Sequence, residues 1–197
     1  MKSPNIYTTP GFLPFLFARL FSVFAVQIQA IVVGWQVYDL TRDPMALAYV
    51  GLAQFVPMVL FLPSAGDLID RFNRKTVLAL SWIVSAVCSG LLLWLSYKGS
   101  DHLIGYYLVL IFYGAARAFS GPALQSLLPQ IVPRERLAQA LATNSMLMKV
   151  AVISGPILGG FLYAYVDGMT YAVCCLCFVL GIVLLHFVPI LYSSQHK

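Results

Sequence analysis

Gly66-Asp67-Leu68-Ile69-Asp70-Arg71-Phe72-Asn73-Arg74-Lys75 sets acids before bases, between two apolar stretches that are each long enough to cross a bilayer. Charge is costly in hydrocarbon, so this loop has to sit at a membrane face. Its basic end assigns the face, because short loops rich in Lys and Arg stay cytoplasmic.

Working outward, apolar segments near the roughly 20 residues a span needs lie at about 12–37, 46–64, 76–97, 103–128, 138–165 and 170–190. The 197 residues are 60% hydrophobic and 10% charged, whereas soluble domains carry about 25% charged residues. Mean hydropathy is +0.86. The expected fold is an all-α membrane protein of six transmembrane helices, a single bundle over 1–197 with no room for a soluble domain. The first segment reads as a retained span rather than a signal peptide, since it is long and carries Arg19, Gln27 and Gln29.

The net charge of +5 is sorted by loop, which argues against a nucleic-acid surface. With the N-terminus inside, the cytoplasmic side holds Lys2, Arg19, Arg71, Arg74, Lys75, Arg134, Arg136 and Lys197. The far side holds Arg42 and Lys98 beside Asp39, Asp43, Asp101 and Asp167. An even number of spans returns the C-terminus to the cytoplasm.

Two internal echoes divide the chain at about 12–97 and 103–190. Ala18-Arg19-Leu20-Phe21-Ser22 and Ala25 to Gln27 align with Ala116-Arg117-Ala118-Phe119-Ser120 and Ala123 to Gln125. Pro63-Ser64-Ala65-Gly66-Asp67 lies over Pro156-Ile157-Leu158-Gly159-Gly160. Because three is odd, the second triplet of spans has the opposite orientation, giving an inverted 3+3 repeat.

Polar residues inside the spans fall on helical faces. Arg19, Ser22, Gln29 and Gln36 share one face of the first span, and Tyr106, Tyr113, Arg117 and Ser120 share one face of the fourth. Ser145 and Lys149 are one turn apart on the fifth, flanked by Asn144. Such groups face protein or a watery cavity. Ser22, Gln29, Gln36, Tyr113, Arg117 and Lys149 are the substrate-path candidates, and helix-to-helix hydrogen bonding is the plainer role for Gln27 and the serines. Mid-span cations such as Arg117 and Lys149 usually mark a pathway or a partnered site, whereas Arg19 is near enough to the surface to snorkel. On the fifth span, Gly155, Pro156, Gly159 and Gly160 combine a kink with points of close helix approach.

The chemistry these residues exclude is broad. There is no phosphate-binding P-loop, and no carboxylate lies inside a span to relay protons. His102, His186 and His196 are scattered, and no metal, cofactor or catalytic grouping is expected. Cys88, Cys174, Cys175 and Cys177 fit neither zinc spacing nor an extracellular disulfide framework, and read as small packing residues.

The charged loop resembles the signature G-x-L-x-D-R-x-G-R-R/K of the major facilitator superfamily of transporters. It agrees at Gly66, Leu68, Asp70, Arg71, Arg74 and Lys75 and departs at Asn73, where the family has glycine. Gly155-Pro156-Ile157-Leu158-Gly159-Gly160 is similar to the fifth-span signature of the superfamily's exporters, without its upstream glycines. Tyr38 to Pro44, Gly121-Pro122-Ala123 with Leu128-Pro129, and Val132 to Leu137 resemble the bacterial branch of enterobactin exporters and macrolide efflux proteins. The resemblance implies the N-terminal six-helix half of a secondary active transporter in the bacterial inner membrane, exporting a small organic molecule by alternating access. Asp70, Arg71 and Arg74 would form a latch onto a helix N-terminus of the other half. A second six-helix half is therefore needed, from a second copy, a different chain or the rest of a longer protein. The alternative is a non-transporting membrane subunit or assembly module with the same fold.

Overall fold

The computed structural model describes residues 6, 9–98 and 103–190, with the side chain of Asp70 excepted. Lys2, Asp101, His102, His196, Lys197 and the stretch after Ile190 lie outside the described residues. Six α-helices follow one another: α1 (Phe12–Thr41), α2 (Pro44–Arg71), α3 (Arg74–Lys98), α4 (Leu103–Ile131), α5 (Leu137–Val166) and α6 (Thr170–His186). Short 3-10 turns at Arg134–Arg136 and Asp167–Met169 precede α5 and α6.

Local chemistry sets the breaks. α1 stops where Arg42 takes a left-handed conformation, φ 53°. The Asp43 side chain then accepts from the Met45 N–H, and Pro44 opens α2, so the chain restarts with a capped proline start. Between α2 and α3 only Phe72 and Asn73 are non-helical. Asn73 Oδ1 accepts from the Lys75 N–H at 3.0 Å. Asparagine thus caps α3 where glycine was expected.

This corrects the expected loop. Gly66 to Arg71 are helical, so α2 runs seven residues past the boundary read at 64. Hydropathy dropped at Ser64, but neither Pro nor a cap is available to end the helix before Phe72. At the other extreme α6 ends at His186, short of the expected 190, with Pro189 just beyond.

Among the described residues, five segments are long and apolar enough to cross a membrane, the last being 134–186. A helix of its 53 residues would be about 80 Å long, far more than a hydrocarbon core of about 30 Å. It is broken at Asp167, φ 46°, and packing fixes the direction of each side. Gln27 donates to the Val152 carbonyl and Tyr163 to Asp39, so α5 runs parallel to α1. A Cβ on Gly181 would meet the Ala18 carbonyl oxygen, and Lys75 donates to the carbonyls of His186 and Val188. Since Gln29 and Gln36 bond Ser89 and Ser96, α3 runs parallel to α1 and α6 runs against both. Phe61 against Phe119 and Tyr107 against Ala46 make α2 and α4 parallel.

The core is formed by α1, α3, α4 and α6, with α2 laid on α4 and α5 laid on α1. Tyr106, Tyr113, Tyr171, Phe12, Phe15 and Phe178 are fully buried there. The two flanking helices are different. α2 leaves Leu52, Phe55, Leu60, Phe61 and Leu62 exposed, and α5 leaves Met146, Ile153, Ile157 and Phe161 exposed.

Candidate functional site

The fifth-span motif lies on α1. A Cβ on Gly155 would come within 2.5 Å of the Gln27 Cβ, and one on Gly159 within 3.1 Å of the Ile28 Cα. Both glycines are needed for the helices to come this close. Pro156 has no N–H, so the Val152 carbonyl one turn earlier loses its helical donor. Gln27 Nε2 donates to that carbonyl at 3.3 Å. Gln27 therefore does act as a helix-to-helix bond, with a specific task. Gly160 lies apart, because a Cβ there would meet nothing within 4 Å.

Gln29 and Gln36 are buried against α3. Ser89 Oγ donates to Gln29 Oε1 at 2.6 Å, and Gln36 Nε2 donates to Ser96 Oγ at 2.7 Å. Ser22, also buried, donates to the Arg19 carbonyl of its own helix at 2.8 Å. The polar stripe of α1 is thus largely turned into the bundle. Its partner was legible but missed: Ser81, Ser85, Ser89 and Ser96 recur at helical spacing on one face of α3. Ser81 donates to the Ala116 carbonyl of α4 and Ser85 to the Ser81 carbonyl, extending the seam.

On α4, Tyr113 is 1% exposed and packs edge-on against Phe178. Arg117 is half-buried at the middle of the helix, its guanidinium carbon 5.9 Å from the Tyr113 ring centroid. Lys149 is exposed on α5, while its neighbour Asn144 is buried against the bundle. Between described side chains the only ion pair is Asp39–Arg42, so neither Arg117 nor Lys149 meets a described carboxylate. The structure does not bring all six path candidates to one cavity. Arg117 and Lys149 reach the surface, whereas Ser22, Gln29, Gln36 and Tyr113 are interior.

The residues of the charged stretch separate in the same way. Lys75 Nζ donates to the carbonyls of His186 and Val188, at 3.0 and 2.8 Å, so it closes the C-terminal end of α6. Arg74 Nη1 donates to the Ser126 carbonyl of α4 at 3.2 Å. Arg71 is exposed, and a Cβ on Gly66 would meet nothing within 4 Å. Asp70 belongs to α2 by its backbone, and its side chain lies outside what is described. Gly114 was not anticipated either: a Cβ there would run into the Gln54 backbone of α2. All four cysteines are free.

Comparison with known proteins follows the same direction. The macrolide efflux protein A of Streptococcus pyogenes is 27% identical over 124 residues, covering 63% of this chain and 31% of that protein. The enterobactin exporter EntS of Citrobacter koseri is 26% identical over 166 residues, 80% of this chain and 38% of the relative. An uncharacterized MFS-type transporter of Bacillus subtilis, YfiS, is 27% identical over 153 residues, 77% of this chain and 36% of the relative. The matched stretches cover between 31% and 38% of the length of these curated relatives. The sequence profile of the Major Facilitator Superfamily matches residues 15–196, and the chain, a multi-pass membrane protein and not an enzyme, belongs to that family.

Proposed function

We propose that this chain is one half of a secondary active transporter that exports a small organic molecule by alternating access. In this reading it crosses the bacterial inner membrane six times with both termini cytoplasmic. A second six-helix half, from the same or another chain, covers α2 and α5. The observation that carries the proposal is Arg117, a cation at mid-helix beside an aromatic ring and with no described carboxylate partner. Such a residue is expensive in lipid and is kept where a path or a missing partner needs it.

Three further features support the reading. The described bases Arg71, Arg74, Lys75, Arg134 and Arg136 belong to the α2–α3 and α4–α5 junctions, at one end of the alternating helices. Asp39, Asp43 and Asp167 belong to the other end, which suits the positive-inside orientation. The main helix contacts also map onto one another when α1–α3 are exchanged with α4–α6, as expected of an inverted repeat, although α1 on α2 has no equal counterpart in α4 on α5. α2 on α4 becomes α5 on α1, α3 on α4 becomes α6 on α1, and α3 on α6 is unchanged. Finally, the apolar side chains left bare on α2 and α5 offer a large face to lipid or to a second half.

Export, rather than import, is inferred from the names of the relatives. Arg74 and Lys75 bind carbonyls within this half, and Arg71 is the exposed base of the proposed latch. The test is drug and siderophore accumulation in cells expressing the chain together with its second half. Arg117→Ala is expected to lower efflux on the order of tenfold while the protein still inserts. Full efflux by that variant would overturn the role of Arg117. Membrane insertion with no transport under any pairing would favour the assembly-module alternative.

A further inference from the structure

At the end of the bundle opposite the basic loops, a cavity of ≈ 550 Å³ is lined by Gln36, Asp39, Leu40, Ser96, Tyr163, Ala164 and Asp167. Its lining is rich in hydrogen-bond acceptors. Asp39 and Asp167 each bring a carboxylate. Gln36 is only 7% exposed, and while its Nε2 is bound to Ser96, its Oε1 is buried with no partner. A buried carbonyl oxygen without a donor is costly, which marks a place where a ligand donor would be welcome.

The charges around the cavity set its sign. Asp39 Oδ1 lies 3.5 Å from the Arg42 guanidinium, whose side chain is 74% exposed. Asp39 Oδ2 accepts from the Tyr163 hydroxyl at 3.1 Å. Asp167 has no described ion-pair partner, so one negative charge is left over. The carbonyl oxygen of Asp167 is taken by Thr170 Oγ1 at 2.7 Å, which fixes the turn that presents this residue. A cavity of this volume is in the range of small-molecule sites and far larger than one metal ion needs. The Tyr163 ring adds a face suited to a cation.

We propose that this cavity binds the ammonium group of an organic cation, with Asp167 and Asp39 supplying charge and Gln36 Oε1 accepting an N–H. The proposal rests on the transporter reading in one respect only: it would make the cavity a station for substrate at the outer end. Binding itself can be measured with no transport at all.

The experiment uses the purified chain in lipid nanodiscs and benzylammonium as the probe, read by isothermal calorimetry. Benzyl alcohol, sodium and calcium serve as parallel arms. Asp167→Asn is expected to weaken benzylammonium on the order of tenfold, the loss of one charge close to the ligand. Gln36→Leu is expected to weaken it several-fold, and Arg42→Ala to strengthen it by freeing Asp39. Circular dichroism melting of each variant separates lost binding from lost folding. Benzylammonium binding that is equal in wild type and Asp167→Asn overturns the proposal. So does binding of benzyl alcohol as tight as that of the cation, or calcium binding that excludes the amine and depends on the same residues. If efflux fails but Asp167-dependent binding persists, the site stands and only the transporter reading falls.

Discussion

Helix α1 holds α3 and α5 by opposite means. Toward α3 it presents glutamines, and the contact is made by side chains: Gln29 with Ser89, Gln36 with Ser96. Toward α5 the contact depends on side chains being absent, with Gly155 and Gly159 admitting the backbone of α1. The first seam is specific in register, since each glutamine meets one serine of α3. The second is smooth along the glycines, with bonds from Gln27 to Val152 and, toward the far end, from Tyr163 to Asp39. A smooth contact lets a flanking helix shift at little cost, while a bonded one keeps the core intact. That difference suits a bundle in which α5 moves and α3 does not.

The strongest way to break the comparison is Gly155→Leu. The new side chain starts within 2.5 Å of Gln27 Cβ, and overpacking of this kind costs about 1–3 kcal/mol. Thermal unfolding in detergent should register the loss, and Gly160→Leu, with open space around it, should leave stability unchanged. Equal effects would mean that the glycines are not distinguished by α1.

Next in size is Ser89→Ala, which leaves both ends of the buried Gln29 amide without a partner. An orphaned buried group costs about 1–2 kcal/mol, and chemical denaturation of the reconstituted chain is the readout. Gln29→Leu should cost less than Ser89→Ala, because the Ser89 hydroxyl keeps its bond to the Ser85 carbonyl.

A subtler test concerns coupling. Gln27→Leu should cost about 0.6 kcal/mol, the usual value of an interhelical bond in membranes. In a Pro156→Ala background the Val152 carbonyl regains a helical donor, and the same change should cost almost nothing. Additive effects in the double-mutant cycle would remove the link between the proline and Gln27. The smallest expected effect is that of Lys75→Met, about 0.5 kcal/mol from an exposed helix end, seen as faster hydrogen exchange at the end of α6.

Much of the architecture could be read from residue order. The apolar segments placed the helices, and the Gly-Pro motif identified the close contact before its partner was known. What could not be read was which way each polar face turned. Gln29 and Gln36 share a stripe with Arg19, and periodicity cannot say whether that stripe meets water or the serines of α3. The serines themselves were visible at spacings of four and seven, but Ser is ordinary in an apolar helix until a glutamine stands opposite. Lys75 likewise matched a family signature and so looked like part of a gate. In three dimensions its reach is decided by the bare carbonyls at the end of α6. Asn73 departs from the family signature, and in three dimensions its side chain caps α3.

The central claim is that the cations on α4 and α5 face an aqueous path rather than acyl chains. The direct measurement replaces Lys149 and Arg117 by cysteine, one at a time, with the four native cysteines changed to alanine. A membrane-impermeant thiol reagent is then applied to sealed vesicles containing the complete transporter. The account predicts labelling at both positions, slowed when a transported compound is present. Labelling only by lipid-soluble reagents, with no protection by any compound, would contradict it.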